Sequence, residues 1–213
     1  MKIEVLQVGP LATNCYLLGD EATGECAVID PGAQAARKIL PALEAFGMKC
    51  TKILLTHGHY DHIMALKEVK EATGAPVYIH TDDAHMLTEE YLHTWKAAAA
   101  RGYQQALADH LLHGGDQVAV GSLTVRVLHT PGHTRGSCVF LCEDAMFSGD
   151  TLFHGDCGRW DLDGGSMEQM HESLRRLAAL PGDYRVLPGH EEATTLETER
   201  HINRNMLIAL AQC

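Results

Sequence analysis

The chain alternates short apolar runs with turns that are rich in glycine and proline. Residues 1–6 alternate apolar and polar positions, as a strand with one buried face does. Compact apolar runs at 53–55, 123–128, 138–142 and 184–187 have the length and the flanking turn residues of buried strands. The pattern therefore predicts several short strands that are separated by tight turns.

Helical periodicity occupies a smaller part of the chain. It predicts helices over residues 33–46, 63–73, 167–180 and 197–211. The strands and helices of residues 1–80 recur in a similar order over residues 116–190. Such a halved pattern is typical of two sheets that pack face to face with helices outside, which is an α/β fold.

The segment 82–113, between the two halves, has a different character. Its Tyr91, Trp95 and the alanine run 97–100 indicate helix. Under one interpretation the segment is a helical connection that covers a sheet. Under the other it is a lid over a pocket, with Tyr91, Trp95 or Tyr103 shaping the substrate site.

Size and charge limit the kinds of function. The chain has 213 residues, of which 46% are apolar, and we predict a single domain over residues 1–213. Lysine and arginine number 17 and aspartate and glutamate 28, so the formal net charge is −11, and no basic cluster stands out. Nucleic acid is therefore not a predicted partner, because binding its backbone requires a basic surface.

Targeting signals and cysteines indicate the cellular setting. The N-terminal strand pattern lacks the basic end and unbroken apolar core of a secretory signal. No apolar run approaches the ~20 residues of a membrane span. The seven cysteines show neither zinc-finger nor redox spacing. We expect a cytoplasmic protein with no membrane partner that acts on a small molecule; the sequence does not indicate its oligomeric state.

Metal-type side chains follow one predicted strand directly. Three imidazoles and a carboxylate fall within six positions after the strand at 53–55; they are His57, His59, Asp61 and His62. A hydrophobic strand has no use for four such side chains at its exit unless a cation lies there. Histidine nitrogen and aspartate oxygen are ligands that Zn²⁺ and related ions prefer, so this motif predicts a metal site.

Three further strand ends carry side chains of the same kind. His133 and His190 each follow a Pro-Gly turn at the end of a strand, and Asp150 follows Gly149 in the same way. Proline and glycine let the backbone turn sharply and approach a ligand closely. One such turn alone is common, but four strand ends with ligands in one chain indicate one shared metal centre.

The seven residues, in this order, resemble the ligand motif of the metallo-β-lactamase superfamily. The resemblance extends to motifs at residues 13–16, 29–32, 194–196 and 199–200. The loop from Gly149 to Arg159 and the turn Pro188-Gly189-His190-Glu191 are similar to the glyoxalase II branch. The resemblance implies a four-layer αββα sandwich: two packed mixed sheets with helices on both outer faces and metals at one edge.

The resemblance also implies a catalytic centre with two Zn²⁺ ions per chain, or with iron as the alternative metal. It assigns His57, His59 and His133 to the first ion, Asp61, His62 and His190 to the second, and Asp150 to both. Two ions ~3.5–4 Å apart would hold a bridging hydroxide that attacks a carbonyl carbon. Asp61 would orient this nucleophile and receive its proton.

The substrate contacts are less specified by the sequence. The candidates are His154, Cys157, Arg159, Tyr91 and Trp95. Arg159 has two interpretations: it supports its loop by pairing with a carboxylate or carbonyls, or it binds substrate. Cys157 is either a packing residue or a contact to substrate or metal.

The implied activity is hydrolysis of a thioester such as S-lactoylglutathione, or of another activated acyl compound. Glyoxalase II proteins usually add a C-terminal helical domain with basic contacts to glutathione, whereas 23 residues follow His190 here. Three alternatives stay open. One is a mononuclear iron enzyme similar to the persulfide dioxygenases, whose loop matches residues 157–161 and which leave His62 and His190 unused. The others are a lactonase of the same fold and a binding protein without turnover.

Overall fold

The computed structural model describes residues 1–33, 36–92 and 102–212. In this part of the chain the strands form two six-stranded sheets. The first sheet contains, in spatial order, β1 (Lys2–Val8), β2 (Thr13–Asp20), β3 (Glu25–Ile29), β4 (Lys49–Leu54), β5 (Val77–His80) and β6 (His110–Leu112). The second contains β12 (Thr194–Thr195), β11 (Arg185–Pro188), β10 (Ala145–Gly149), β9 (Cys138–Cys142), β8 (Leu123–His129) and β7 (Gln117–Val120).

Both sheets are mixed. In the first, β1, β2 and β3 pair antiparallel and β3 to β6 pair parallel. In the second, only β10 and β11 pair parallel among the described strands. The parallel strands carry their C-terminal ends to one edge, where ligands bind in open α/β sheets.

The described helices are as follows: α1 (Ala36–Phe46), α2 (Tyr60–Ile63), α3 (Leu66–Thr73), a 3-10 helix (Thr81–Leu87), α4 (Glu89–Leu92), α5 (Met167–Ala178), α6 (Leu196–Ile202) and α7 (Arg204–Ala211). None of the described helices is both long enough and apolar enough to cross a bilayer.

Buried apolar side chains form three layers among the described residues. Successive side chains of a strand point to opposite faces, so β3 contributes to two layers. Its Cys26 and Val28 pack with α1 and α3, whereas Ala27 and Ile29 face the second sheet. The third layer lies between the second sheet and helices α5 and α7. The predicted α/β fold, with two mixed sheets between helices, is therefore confirmed.

Two predicted helices are divided in the structure. In place of the helix predicted over residues 63–73, the structure has α2 and α3. They are separated at Ala65, whose backbone amide donates to the carbonyl of Pro31 at 3.0 Å. The prediction over 197–211 becomes α6 and α7 because Asn203 has extended backbone angles. Its side chain accepts a hydrogen bond from the amide of Met206 and so begins a new helix.

The connecting segment 82–113 contains most of the 3-10 helix, then α4, and ends with β6. Residues 102–109 have no helix or strand. The predicted helical run 97–100 and Trp95 lie outside the described residues. Whether the segment is a connection or a lid stays a prediction, as does the single domain over 1–213.

Candidate metal centre

The first ligand motif lies in the turn between β4 and α2. Asp30, after β3, accepts hydrogen bonds from the backbone amide of Thr56 at 2.8 Å and from its hydroxyl at 2.6 Å. These bonds fix the start of the turn. The chain then enters α2, so that Asp61 and His62 belong to a first helical turn and are buried.

One group of possible ligands contains His57, His59 and His133. One ring nitrogen from each lies within 4.8 Å of the others, and all three side chains are buried. Nδ1 of His59 lies 2.7 Å from Nε2 of His133. The turn after β4 and the turn after β8 thus bring their imidazoles to one point between the two sheets.

A second group contains Asp61, His62 and His190, again with ligand atoms within 4.8 Å of one another. Oδ2 of Asp61 lies 3.2 Å from Nε2 of His190 and 3.5 Å from Nε2 of His62. The hydroxyl of Thr13 donates to the same carboxylate oxygen at 3.2 Å. The end of β11 therefore meets α2 beside the first group.

Asp150 lies between the two groups. Its Oδ2 is 3.4 Å from Nε2 of His133, in the first group. Its Oδ1 is 3.3 Å from Nε2 of His62, and its Oδ2 is 3.6 Å from Nε2 of His190, both in the second group. One carboxylate thus contacts both groups, as a bridging ligand would.

Hydrogen bonds on the far side of the rings orient the imidazoles. Nδ1 of His62 lies 3.0 Å from Oδ2 of Asp30. Nδ1 of His133 donates to the backbone carbonyl of Arg159 at 2.6 Å, and Nδ1 of His190 donates to that of Leu11 at 3.1 Å. Because a carbonyl only accepts, the Nε2 atoms of His133 and His190 keep their lone pairs in the neutral rings. This is the usual arrangement around metal-binding histidines.

The polar atoms at the centre fit a cation. Within the described residues, Nε2 of His57 and Oδ1 of Asp150 are buried without a hydrogen-bond partner. Leaving a buried polar atom unpaired costs about 1–3 kcal/mol, and more for a charged group. Five imidazoles and two aspartates, with these unpaired atoms among them, match divalent ions that prefer nitrogen and oxygen ligands. The donor set therefore fits two such ions.

Burial and charge coupling act differently on the side chains of the centre. Burial opposes protonation of His62 and His190, but the neighbouring carboxylates outweigh it and raise the pKa of both rings, so a bound cation would displace their protons. Burial opposes ionisation of Asp61, but the charges of His62 and His190 outweigh it and lower its pKa to about 2. Burial, aided by the neighbouring His133, lowers the pKa of His59 to about 3. Carboxylate and neutral imidazole are the forms that bind a metal.

Gly189 allows the last strand end to approach the centre closely. A Cβ atom there would collide with Oδ1 of Asp150 and lie 2.8 Å from Cε1 of His62. Any side chain at this position would therefore displace Asp150, the carboxylate that lies between the two groups. This explains why His190 follows a glycine rather than any other turn residue.

A cavity of about 640 Å³ opens onto the centre. Metal-type residues from both groups line it together with apolar side chains, among them Leu11, Tyr60, Phe153 and Leu162. Arg159 also lines it, and its guanidinium makes a bidentate ion pair with Asp161 at 2.8 Å. The cavity thus offers a largely apolar wall beside the polar centre.

The structure separates the other candidate substrate contacts from the described lining of this cavity. Cys157 is buried in the layer between the second sheet and α5. Nδ1 of His154 lies 2.7 Å from Oε1 of Glu192 at the surface, and Tyr91 packs edge-on against His85. Among the described candidates, only Arg159 is brought to the cavity; Trp95 lies outside the described residues.

Asp83 is a residue of the site that the sequence did not indicate. It is fully buried in the 3-10 helix and accepts hydrogen bonds from three donors. They are the amide of Gly58 at 3.1 Å, the amide of Gly136 at 2.7 Å and the hydroxyl of Thr134 at 2.7 Å. Asp83 therefore ties the turn that carries His57 and His59 to the turn that carries His133.

We expect Asp83→Ala to lower the free energy of unfolding by about 3 kcal/mol, because three buried donors lose their acceptor. Urea denaturation of the purified variant would measure the loss. Asp163→Ala, at an exposed position of a surface loop, is the control and is expected to match the wild type. Equal urea midpoints for Asp83→Ala and the control would contradict the stabilising role that we assign to Asp83.

Known sequences match this chain over the residues that carry the candidate ligands. The profile described as the metallo-beta-lactamase superfamily matches residues 8–190. An "Uncharacterized protein" of Aquifex aeolicus is 40% identical over 210 residues, 95% of this chain and 96% of its own. The "Probable metallo-hydrolase YqgX" of Bacillus subtilis is 37% identical over 209 residues, with 95% and 96% covered. A "Hydroxyacylglutathione hydrolase" of Rhodospirillum rubrum is 41% identical over 192 residues, 89% of this chain and 66% of its own.

Solved structures show the same fold. The BLEG-1 B3 metallo-beta-lactamase superposes with a TM-score of 0.89 at 34% identity and covers 96% of this chain and 99% of its own. TTHA1623 in a di-iron-bound form gives 0.84 at 35% identity, with 94% and 98% covered. ETHE1 from Myxococcus xanthus gives 0.82 at 32% identity, with 96% and 84% covered.

Proposed function

Because the chain belongs to the metallo-β-lactamase superfamily, we propose that it is a dinuclear zinc hydrolase that cleaves a thioester or a similar activated acyl bond of a small molecule. The relatives named as a metallo-hydrolase and a hydroxyacylglutathione hydrolase support this proposal. The observation that carries it is the position of Asp150, whose carboxylate contacts His133 on one side and His62 and His190 on the other.

The proposed roles of the seven ligands follow from their grouping. His57, His59 and His133 would hold one ion, and Asp61, His62 and His190 the other, with Asp150 shared. When bound, the two ions supply a water of lowered pKa and an electrophile for the carbonyl oxygen. The two groups would hold the ions beside the cavity, because Asp61 and Asp150 are among the residues that line it.

Asp61 is the residue of this chain that we assign to proton transfer. Its pKa is lowered to about 2, so it is a carboxylate at neutral pH and accepts hydrogen bonds. Thr13 holds one of its oxygens, which limits rotation of the carboxylate. Asp61 would orient the attacking water and accept its proton, while cleavage of the acyl C–S bond releases a carboxylate and a thiol.

The side chains that line the cavity indicate which kinds of substrate group it could bind. Leu11, Phe153 and Leu162 offer apolar surface to an acyl or thiol substituent. The cation at the cavity, Arg159, is already paired with Asp161. The thiol part of the substrate is therefore left open.

Metal analysis of the purified protein, followed by a thioester assay, tests the proposal. We expect about two zinc ions per chain and hydrolysis of S-lactoylglutathione or of an uncharged thioester of N-acetylcysteamine. Removal of the ions with dipicolinate should abolish hydrolysis, and added Zn²⁺ should restore it, because water is no longer activated in the metal-free protein.

Other outcomes would replace the proposal. About one iron per chain, together with oxygen uptake in the presence of glutathione persulfide, would favour the mononuclear dioxygenase reading. The motif Cys157-Gly158-Arg159-Trp160-Asp161 and the likeness to the ETHE1 structure favour this second candidate. Two zinc ions without thioester turnover, but with turnover of a lactone, would move the protein to the lactonase alternative.

A further inference from the structure

A second group of metal-type side chains lies outside the seven proposed ligands. It consists of His80 at the end of β5, Asp82 in the 3-10 helix, His113 after β6 and His129 at the end of β8, and we name it the His80 cluster. The loop 113–116 connects the two sheets beside it, where the amide of Gly115 donates to the carbonyl of Val127 at 2.8 Å. The cluster therefore joins both sheets and the connecting segment.

The side chains of the His80 cluster converge. One ligand atom each from His80, Asp82 and His129 lies within 4.8 Å of the other two. The rings of His80 and His129 are stacked, with centroids 4.0 Å apart and planes 11° from parallel. Because the lone pair of an imidazole lies in the plane of its ring, one of these two rings must rotate before both can bind the same ion. The ring of His113 lies 6.1 Å from that of His80, and His113 is exposed, so it can turn toward the others.

A hydrogen bond fixes the tautomer of the neutral His129 ring, while Nδ1 of His80 accepts a hydrogen bond from the backbone amide of Asp82 at 3.3 Å. Nε2 of His129 donates to the backbone carbonyl of Arg135 at 2.8 Å, so Nδ1 of the neutral ring has no proton. A ring nitrogen bonded to a backbone carbonyl on its far side is also the arrangement found around metal-binding histidines, including those of the centre described above.

We propose that the His80 cluster is a second binding site for Zn²⁺ or another late first-row divalent ion, separate from the candidate dinuclear centre. Two imidazoles and a carboxylate, with a third imidazole within reach, are a ligand set that such ions prefer. An ion held at ~2.1 Å would draw its ligand atoms to about 3.4 Å from one another in tetrahedral geometry. Movement of the exposed Asp82 side chain supplies part of this contraction.

Binding of an ion at the His80 cluster would affect the candidate centre through Asp82 and Asp83, which are adjacent in the chain. Asp82 immediately precedes Asp83, which holds the turns of His57 and His133 together. An ion bound to Asp82 would fix the start of the 3-10 helix and, with it, the position of Asp83. The site would therefore stabilise the loops of the dinuclear centre without contacting the substrate.

Equilibrium dialysis of the zinc-loaded protein against added Zn²⁺ tests the inference. We expect a further Zn²⁺ per chain beyond those of the candidate centre, and an additional rise in melting temperature on its binding. Asp82→Ala and His129→Gln should weaken this last site by more than about 100-fold, beyond the usual effect of losing an outer hydrogen-bond partner. Neither variant should lower the number of ions in the candidate centre.

His201→Gln, at an exposed histidine on α6, is the matched control and should retain the further ion. Asp82 is exposed, so its variant is expected to fold even if the His129 variant does not. If no further ion binds to the wild type, the inference is wrong. It is equally wrong if the ion binds unchanged to Asp82→Ala and His129→Gln, because the ion would then lie elsewhere on the surface.

Discussion

Asp150→Ala is expected to lower the content of both metal ions and to reduce thioester hydrolysis by at least about 10³-fold, since electrophilic stabilisation of the reacting carbonyl is worth several kcal/mol. The reason is the shared position of this carboxylate. It contacts His133 in one ligand group and His62 and His190 in the other, so its loss weakens both groups. It also removes the negative charge that offsets two cations.

Elemental analysis of the variant, purified without added metal, measures the expected loss. Asp163→Ala is again the control, because it removes a carboxylate of the same size from an exposed loop. Asp150→Asn separates charge from shape, since it keeps an oxygen ligand but no negative charge. Retention of both ions and of full activity by Asp150→Ala would contradict the shared role.

The proximity of the seven candidate ligands could be predicted from the sequence because the turn residues in the sequence indicate where strands end. Each of His133, Asp150 and His190 follows an apolar run and a glycine, and parallel strands that end at one edge bring such residues together. The fold class followed from the same alternation of strands and helices. In both cases the pattern is local in the sequence, and pairing of the strands in a sheet then brings the residues at their ends together in space.

Asp83 could not be predicted in this way. Two of its three donors are backbone amides, of Gly58 and Gly136, which have no identity in the sequence beyond the glycine itself. The contacts span 25 and 53 residues and depend on how the connecting segment packs over the two turns. No spacing rule links an aspartate to distant backbone amides.

The direction of loop side chains also lay beyond the sequence. Residues 157–159 run beside the candidate centre, yet Cys157 turns into a buried layer while Arg159 turns to the cavity. The backbone carbonyl of Arg159, not its charge, orients His133. The sequence specifies which side chain stands at position 159, whereas the contact with His133 is made by the backbone carbonyl of that residue.

Asp61→Ala is expected to remove one ion, not both, and to lower hydrolysis by about 10²–10⁴-fold, the usual contribution of a positioned acid–base group. The carboxylate of Asp61 contacts His62 and His190 but belongs to only one ligand group. The group of His57, His59 and His133 stays complete in this variant. Metal content should therefore fall from about two ions to about one per chain.

The pair of variants distinguishes a shared ligand from an unshared one. If Asp150 bridges and Asp61 does not, Asp150→Ala must lose more metal than Asp61→Ala, measured side by side with the Asp163→Ala control. Asp61→Asn preserves the size of the side chain and an acceptor for the Thr13 hydroxyl, but it cannot take up a proton from water. Full hydrolysis by Asp61→Ala would overturn the role in proton transfer that we assign to this residue. Equal metal loss in Asp61→Ala and Asp150→Ala would overturn the division of the candidate ligands into two groups that share one carboxylate.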